Sequence, residues 1–495
     1  MKKYLFFFFI TIGILFNACI PETEIFTDGN AMLEFSVDTL RFDTVFTEQG
    51  SATRFVRIYN TYDQPVEISE IKLVRGDQSK FRINVDGLPG DATNVEIPPN
   101  DSIYIFAEVT VDPDQDLSTS PYVIQEDLSF LINGNAQRVV LEAWGQNANY
   151  IPNRFNNGGI AVLNCNGQDV IWDDPKPYVV FGILVIDNCN LVISAGTDIY
   201  VHGGLESVFD SMNMVRQFFN DGRIITTGSG RINVEGTVEN PVTIQGDRLE
   251  EGFDEIAGQW FGIILGAGSK NNNFDFVNIK NSSLGIAVDS AASLVIKNSQ
   301  IYNTASHALF GIHSEIEAEN CLLYNNGATA FRATYGGDYD MRHCTVVSNG
   351  EQSASAISMS NVLCTDFPEC TNILFNPIIA NIENSILIGS GKDEISLIEA
   401  DNVGFDYNFK NCIVKVEEIL EADQYPNFLT DCENCIAYDR SDALFFDDNE
   451  DDFHLDTLSI AEEQAFFIPE LSVDLDGMMR DMERPDIGCY EYFPR

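Results

Sequence analysis

The side chains of this sequence best suited to act on a ligand form a small group of imidazole, phenol and carboxylate groups: His313, Tyr335, Asp338 and Tyr339. His313 and Tyr335 are separated by a step of 22 in position, and the same step recurs nearby, so a repeating structure would stack the imidazole on the phenol. Aromatic faces pack against sugar rings, and carboxylates accept hydrogen bonds from hydroxyls. The group predicts a ligand-binding surface, with His313 and Asp338 as candidates for catalysis.

Two reactions on polysaccharides are weighed against a purely binding role. A hydrolase needs two carboxylates about 5 to 9.5 Å apart; Asp289 and Asp338 are candidates, but we find no acidic partner in register with them. A β-elimination lyase needs a base and a cation or basic group that neutralises the uronate. Basic residues in the repeats are few, and none adjoins an acidic metal cluster: Lys280, Lys297, Arg332 and Arg342. The sequence therefore favours binding and predicts no metal ligands.

Three histidines in successive repeats, His307, His313 and His343, could also form an acid/base site. A lone histidine is more often structural. His343 occupies the repeating polar position described next, which gives it a structural role.

A repeat from residue 274 to 349 organises this part of the chain. Asn298, Asn320 and His343 follow each other at nearly constant steps in position, 22 and then 23, each with a small and then an apolar residue after it. Asn384 and Asn411 continue the series. Such a period, built from short β-type runs, is typical of a solenoid. Because stacked strands lie about 4.8 Å apart, we expect these five side chains to form an amide ladder at a corner, in left-handed conformation.

The regions around the repeat have different patterns. Residues 30–147 alternate apolar and polar positions in short runs separated by turn residues, which predicts an antiparallel sandwich. Residues 158–420 are predicted to form the parallel solenoid, and 421–495 its C-terminal cap. Residues 205–220, rich in Phe and Met, are predicted to be a short helix that caps the solenoid, with a functional lid as the alternative.

Three segments make the resemblance to a family specific. The runs LVISAGTDIYVHGG, GRINVEGTVENPVTIQGD and GQWFGIILGAG are similar to the opening coils of bacterial right-handed parallel β-helix surface proteins. The closing segment of such proteins is similar to three stretches near the C-terminus: Asp452–Leu455, Asp474–Arg480 and Asp486–Tyr492. The N-terminal region resembles the immunoglobulin-like domains that precede the β-helix in these proteins. Cys489 stands where that family usually has Ala, which suggests a disulfide to Cys432 or Cys435. The resemblance implies an all-β chain, an Ig-like sandwich followed by a right-handed parallel β-helix.

The N-terminus predicts export. Two lysines, an apolar run to Phe16 and the sequence Asn17-Ala18-Cys19 resemble a bacterial lipoprotein signal of the Bacteroidetes type, in which residues 1–19 include the lipidated Cys19. We expect an outer-membrane lipoprotein exposed at the cell surface, with the periplasmic face as the alternative.

The net charge indicates which class of partner the protein binds. A formal net charge of −48 disfavours nucleic acid and predicts polysaccharide or another surface protein as the partner.

The cysteines other than Cys19 are even in number, and Cys364 and Cys370 could close one loop by a disulfide. Cys321 and Cys344 either pack as small apolar residues or pair with each other. No cofactor is expected; the acidic loop 446–453 could hold Ca²⁺, with a solvated loop as the alternative.

Overall fold

The computed structural model describes residues 24–46, 51, 53–110, 122–153, 159–209, 215–250, 252–348, 354–366, 370–400, 403–421 and 425–494. The predicted lipidation residue Cys19 and the signal segment 1–19 lie outside these ranges. The described chain is all-β, and its contacts divide it into two units, Met1–Asn147 and Ala148–Arg495. Among the described residues, no helix has the length and apolar character needed to cross a bilayer.

The first unit consists of two sheets whose inner faces share one hydrophobic cluster, because apolar residues alternate with polar ones along the strands. One sheet has the order β1 (Glu34–Phe35), β3 (Arg54–Tyr59), β8 (Ser102–Val109), β5 (Phe81–Val85), β6 (Leu88–Pro89). The other has the order β2 (Thr39–Phe46), β10 (Asn135–Gln146), β9 (Tyr122–Ile132), β4 (Val66–Leu73), β7 (Ala92–Ile97). The pairing is antiparallel except between β2 and β10. A 3-10 helix spans Gly76–Gln78.

In the second unit the chain visits three rows of parallel strands in turn, and we call one visit to the rows a circuit. The third row has the order β11 (Asn149–Ile151), β14 (Tyr178–Phe181), β17 (Asp198–His202), β22 (Val242–Gly246), β25 (Val277–Lys280), β28 (Gln300–Thr304), β30 (Leu322–Asn326), β32 (Thr345–Ser348), β37 (Ile386–Gly389), β40 (Ile413–Val414), β41 (Ile436–Ala437).

The first and second rows belong to one sheet, because two long strands, β29 (Leu309–Glu319) and β31 (Phe331–Arg342), run through both. The first row also contains β12 (Ile160–Asn164), β15 (Ile183–Asp187), β20 (Arg223–Thr226), β23 (Gly262–Leu265), β26 (Ile286–Val288), β33 (Ile357–Ser360), β38 (Ile395–Ile398). The second row also contains β13 (Asp169–Trp172), β16 (Asn190–Ser194), β21 (Arg231–Glu235), β24 (Asn272–Asp275), β27 (Ser293–Lys297), β36 (Ile378–Glu383), β39 (Phe405–Lys410).

The corner between the second and third rows carries the predicted ladder. Asn298, Asn320, His343, Asn384 and Asn411 have φ angles of 49, 50, 50, 49 and 49°, the left-handed region that asparagine tolerates well. The Nδ2 of Asn320 donates to the Oδ1 of Asn298 at 3.0 Å, and the Nδ2 of Asn384 lies 2.9 Å from the Nε2 of His343. These side chains therefore link successive circuits at the bend.

A second ladder occupies the corner between the third and first rows. Asn281, Asn303 and Asn325 also have positive φ, and the Nδ2 of Asn303 lies 3.5 Å from the Oδ1 of Asn281. These asparagines follow each other at the same step of 22, a signal that the sequence analysis did not use.

The cysteines that follow the corner between the second and third rows pack as small apolar residues. Cys321, Cys344 and Cys412 are buried free thiols inside the main cluster of the second unit. Of the two alternatives for Cys321 and Cys344, packing is therefore correct. Disulfides join Cys165 to Cys189 across the first two circuits, and Cys364 to Cys370 in the loop carrying the antiparallel strands β34 (Val362–Cys364) and β35 (Ile373–Phe375).

The structure corrects the predicted helix at residues 205–220. The described parts of this segment form two antiparallel strands, β18 (Leu205–Phe209) and β19 (Val215–Asn220). The end of the core is instead covered by two short helices, α1 (Glu418–Glu421) and α2 (Phe428–Asp431). Phe428 of α2 is buried, with its ring centroid 5.2 Å from that of Phe409. The end of the core is thus covered by residues 418–421 and 428–431, which lie at the start of the predicted cap 421–495.

The segment after β41 covers the side of the third row. Its strands β42 (Phe445–Asp447) and β43 (Asp452–Leu455) pair with each other, and 3-10 helices span Asp448–Glu450 and Pro469–Leu471. Its apolar residues form one cluster with outward side chains of the third row. That cluster includes Leu322, Tyr324, Val347, Ile386, Ile388, Ile413, Phe453, Leu455, Leu475, Ile487, Cys489 and Tyr490. The segment is a lateral cover.

The predicted disulfide of Cys489 is wrong. Cys489 is a buried free thiol in that lateral cluster, and its N–H donates to the Oγ1 of Thr345 at 3.1 Å. Cys432 and Cys435 are bonded to each other, beside the end of the main core. The thiol of Cys489 therefore takes the place of a small apolar residue.

Arg480 fastens the lateral cover to the corner ladder. The residue is 2% exposed, and its Nη2 donates to the Oδ1 of Asn320 and to the carbonyl of Gly488, each at 3.0 Å. Its Nη1 lies 3.3 Å from a carboxylate oxygen of Glu491. One buried guanidinium thus satisfies acceptors from both the repeat and the cover.

We expect Arg480→Met to destabilise the second unit by about 3 to 5 kcal/mol, because it leaves the carboxylate of Glu491, whose side chain is 12% exposed, without its cation. Thermal unfolding and limited proteolysis of residues 444–490 measure this. Arg484→Met is the matched control: its ion pair with Glu463, at 2.8 Å, joins side chains that are 62 and 52% exposed. Exposed pairs contribute at most about 1 kcal/mol. Equal effects of the two substitutions would contradict the role of Arg480.

Candidate functional site

His313 and Tyr335 lie above one another at the corner between the first and second rows, as their spacing in the sequence predicts. Both have positive φ, 46 and 63°, and their ring centroids are 5.6 Å apart at an interplanar angle of 57°. Both side chains are half-buried. The rings tilt against each other, so they form an edge at this corner that remains partly accessible.

The other two members of the predicted group separate onto the two faces of β31. Asp338 is exposed, whereas Tyr339 is 2% exposed and packs its ring against Phe331 at 5.6 Å. The Tyr339 hydroxyl donates to the carbonyl of Gly336 at 2.9 Å. Neighbouring residues of a strand face opposite ways, so Tyr339 belongs to the core and is not a ligand-binding residue.

Asp338 has an acidic partner in register, which corrects the sequence analysis. The register shifts between Ile312 and Ser314, so Glu315 lies opposite Asp338. Two residues, Tyr335 and Gly336, stand opposite His313, and Gly336 has a φ of 75°. A step of 22 from Asp338 reaches the buried Ile316, while the true step of 23 reaches Glu315.

Four carboxylates therefore form a two-by-two group on the second row: Glu315, Glu317, Asp338 and Asp340. Facing strands lie about 4.8 Å apart and alternate residues about 6.6 Å apart along a strand. Glu315 pairs with Lys270 at 2.8 Å. These spacings place several hydrogen-bond acceptors within the reach of one sugar unit, on one side of a sheet.

Beside this group runs a row of alternating charges. Glu319 lies opposite Lys297 and Arg342 in the neighbouring circuits and forms an ion pair with each, at 2.5 Å with Lys297. Arg342 also pairs with Glu317 at 2.7 Å. The register continues the alternation through Glu383, Lys410 and Glu433. We call the outward side chains of β27, β29, β31, β36 and β39 the polar face.

The remaining histidine and carboxylate candidates do not join this group. The Nδ1 of His307 lies 2.6 Å from the carbonyl of Thr329, and burial lowers the pKa of His307. His343 is fully buried, and burial and then Arg480 hold its pKa well below the usual range. Asp289 lies in the turn after β26 and accepts the N–H of Ser290 at 2.6 Å. The three histidines therefore form no shared acid/base site.

Metal ligands are not gathered in the described part of the chain. Within it, no set of three or more His, Cys, Asp or Glu side chains is arranged to hold an ion. In the acidic loop 446–453, the Oδ2 of Asp451 accepts a hydrogen bond from the Nδ2 of Asn325 at 2.8 Å.

Glu394 combines deep burial with a strongly shifted pKa. It lies in the turn between β37 and β38, and burial raises its pKa to about 7, against the hydrogen bonds from two backbone N–H groups. These are the N–H groups of Gly391, at 2.7 Å, and Ala356, at 2.9 Å. Both carboxylate oxygens are thereby engaged, so Glu394 joins two turns and does not face a ligand.

Comparisons with known proteins leave the family open. No family model matches the sequence, and no curated protein matches it. Three solved structures show distant likeness. A Porphyromonas gingivalis protein of unknown function shows 12% identity over 29% of this chain and 60% of that chain, with a TM-score of 0.18. A family 123 glycoside hydrolase from Clostridium perfringens shows 7% identity over 39% and 44%, TM-score 0.17.

The third is the catalytic unit of a GH87 alpha-1,3-glucanase from Streptomyces thermodiastaticus, with 10% identity over 72% of this chain and 78% of that chain and a TM-score of 0.19. The chain spans less than two thirds of the first two of these structures. Similarities at these TM-scores carry no argument about function.

Glu394 gives a pH prediction. The folded chain holds this proton more tightly than the unfolded chain, where the carboxyl titrates near 4.5. The associated stabilisation is complete below that pH and is lost as the pH rises through about 7. Calorimetry between about pH 5 and 8 should show this slope reduced in Glu394→Gln and kept in the exposed control Glu421→Gln. The same slope in Glu394→Gln and wild type would contradict the assignment.

Proposed function

We propose that this protein is a cell-surface lipoprotein that presents the parallel rows of its second unit as a non-catalytic scaffold for binding a polysaccharide. The polar face carries the proposal: its outward positions bear carboxylates, amides and cations in successive circuits. An extended glycan lying along the stack would meet hydrogen-bonding side chains at each strand spacing of about 4.8 Å.

The finer architecture is part of the same proposal. The three rows of parallel strands, visited in turn, support a parallel β-helix in the second unit, and the usual hand of crossovers between parallel strands makes it right-handed. The two sheets that share one core support an Ig-like sandwich in the first unit. Lipidation at Cys19 would hold the chain at the outer membrane, with the periplasmic side as the alternative location. The net charge of −48 favours polysaccharide or another surface protein over nucleic acid as the partner.

Binding without chemistry is favoured by the state of the carboxylates. Glu315 and Glu317 are both held in ion pairs, and Asp340 accepts a hydrogen bond from the Nδ2 of Asn381 at 2.9 Å. Groups held in this way orient hydroxyls.

A glycoside hydrolase remains the second candidate, because Glu315 and Asp338 are in register. Their spacing suits the pair of carboxylates that retaining hydrolases use, about 5 to 5.5 Å apart. The lyase alternative has less support, since the cations of the polar face are neutralised by neighbouring glutamates.

The test uses residues 20–495, with millimolar Ca²⁺ and a panel of soluble neutral and acidic polysaccharides. We expect native gels containing at least one polymer to retard the protein. Glu315→Gln/Asp338→Asn should weaken that retardation about tenfold, or ~1.4 kcal/mol, by removing two acceptors. The control Glu421→Gln/Glu470→Gln removes the same charge at exposed positions elsewhere.

Mass spectrometry of the same mixtures decides the question of catalysis. Intact polymers are expected. New reducing ends that disappear in Glu315→Gln/Asp338→Asn would establish the hydrolase, and unsaturated uronates would establish a lyase. Retardation that the double variant leaves unchanged would contradict the polar face as the binding surface.

A further inference from the structure

The outward face of the sheet β1-β3-β8-β5-β6 in the first unit exposes three large aromatic side chains. Phe55 is 51% exposed, Tyr104 37% and Phe106 39%. Strands that bury one face usually place polar residues on the other, so a cluster of exposed rings requires an explanation. We call these three residues the aromatic face.

The rings are held as a group by their positions across the strands. Phe55 lies directly opposite Phe106 in the register, and their ring centroids are 6.1 Å apart. Tyr104 lies 5.4 Å from Phe55 and 6.2 Å from Phe106, stacked on the latter at 18°. The aromatic face is therefore a continuous surface of three rings.

Arg57 fixes one border of this surface. Its guanidinium lies 5.1 Å from the ring centroid of Tyr59 and 5.2 Å from that of Tyr104. Its Nε donates to the Oγ of Ser102 at 2.7 Å. A cation over an aromatic face is attracted by the negative charge of the ring, so Tyr104 is oriented before any ligand arrives.

The opposite border opens into a cleft of about 1090 Å³ that is lined by Phe106 and by polar side chains of the same face. Arg82, Asn84 and Glu108 supply donors and acceptors there, and Arg82 and Glu108 lie 3.9 Å apart. Apolar rings next to a few converging polar groups are typical of small-ligand sites.

We propose that the aromatic face and this cleft form a carbohydrate-binding site of the first unit. The apolar C–H faces of sugar rings would pack on Phe55, Tyr104 and Phe106, while hydroxyls would bond Arg82, Asn84 and Glu108. This goes beyond the proposed function, because it assigns a site to a different unit that does not depend on the polar face.

The exposed area favours a carbohydrate over a protein partner. Aromatic side chains cover about 150 to 250 Å² each, so the three rings together expose on the order of 250 Å². A stable protein interface buries about 800 Å² per partner. The rings and the cleft match a few sugar residues.

If the three rings only stabilised the sheet, substitutions would have a different effect. Cross-strand aromatic pairs stabilise sheets, so replacing Phe106 could lower thermal stability without touching a ligand. Trp144 provides the matched control, because it is 44% exposed on the other sheet of the same unit. Phe106→Tyr restores an aromatic ring at the tested position.

The experiment uses residues 20–495 of the protein in native gels containing amylopectin, xyloglucan, polygalacturonate or alginate. We expect at least one of these polymers to retard the wild type. Tyr104→Ala and Phe106→Ala should each weaken that retardation at least tenfold, Phe106→Tyr should recover most of it, and Trp144→Ala should leave it unchanged.

The outcomes separate this site from the polar face. Loss in the aromatic variants with retention in Glu315→Gln/Asp338→Asn supports the site even if the polar face binds nothing. Retardation that the aromatic variants leave unchanged overturns it and leaves the polar face untouched. Lower melting temperatures without weaker retardation assign the rings a structural role, and no retardation by any of the four polymers also overturns the proposal.

Discussion

The second unit depends on a backbone constraint at its corners. From β24 onward, each circuit changes direction between the second and third rows through one residue with φ of 47 to 50°. Most side chains resist that conformation, whereas asparagine tolerates it and offers an amide that can bond the circuit above or below. Asn298 and Asn320 meet in this way. The same residue type therefore makes the bend and connects the stack.

His343 shows how strong this constraint is. It replaces asparagine in the ladder, keeps the same φ and still bonds Asn384 through its Nε2. Its Nδ1 lies 3.3 Å from the carbonyl of Gly488 in the lateral cover. Both ring nitrogens of His343 therefore have hydrogen-bonding partners, one in the ladder and one in the lateral cover. These partners explain why a titratable residue occupies a fully buried position.

Sequence patterns predicted those features that repeat with constant spacing. The ladder and the stacking of His313 on Tyr335 both followed from the regular step between equivalent positions. The acidic pair Glu315 and Asp338 was missed because a bulge at Tyr335 and Gly336 lengthens that step by one. The signal was present, since the step from Asn320 to His343 is also one longer than the step from Asn298 to Asn320. Applying that local step to Asp338 would have found its partner.

Other errors came from features that composition does not encode. Two antiparallel strands, β18 and β19, stand where a helix was expected, and the end of the core is closed by two helices of one turn each. Such short helices carry no periodic signal, because a single turn shows no amphipathic repeat. The aromatic face was missed for a related reason: alternation marks Phe55, Tyr104 and Phe106 as one side of their strands without telling which side is buried.

The lateral cover also sets an order of assembly. Leu322, Ile386 and Ile413 face outward from the third row and are buried in one cluster with residues of the lateral cover. During synthesis these side chains emerge well before their cover, so a partly emerged chain presents an apolar stripe along a stack of parallel strands. Such surfaces promote aggregation. The chain therefore needs either rapid completion or a chaperone until residues 444–490 have docked.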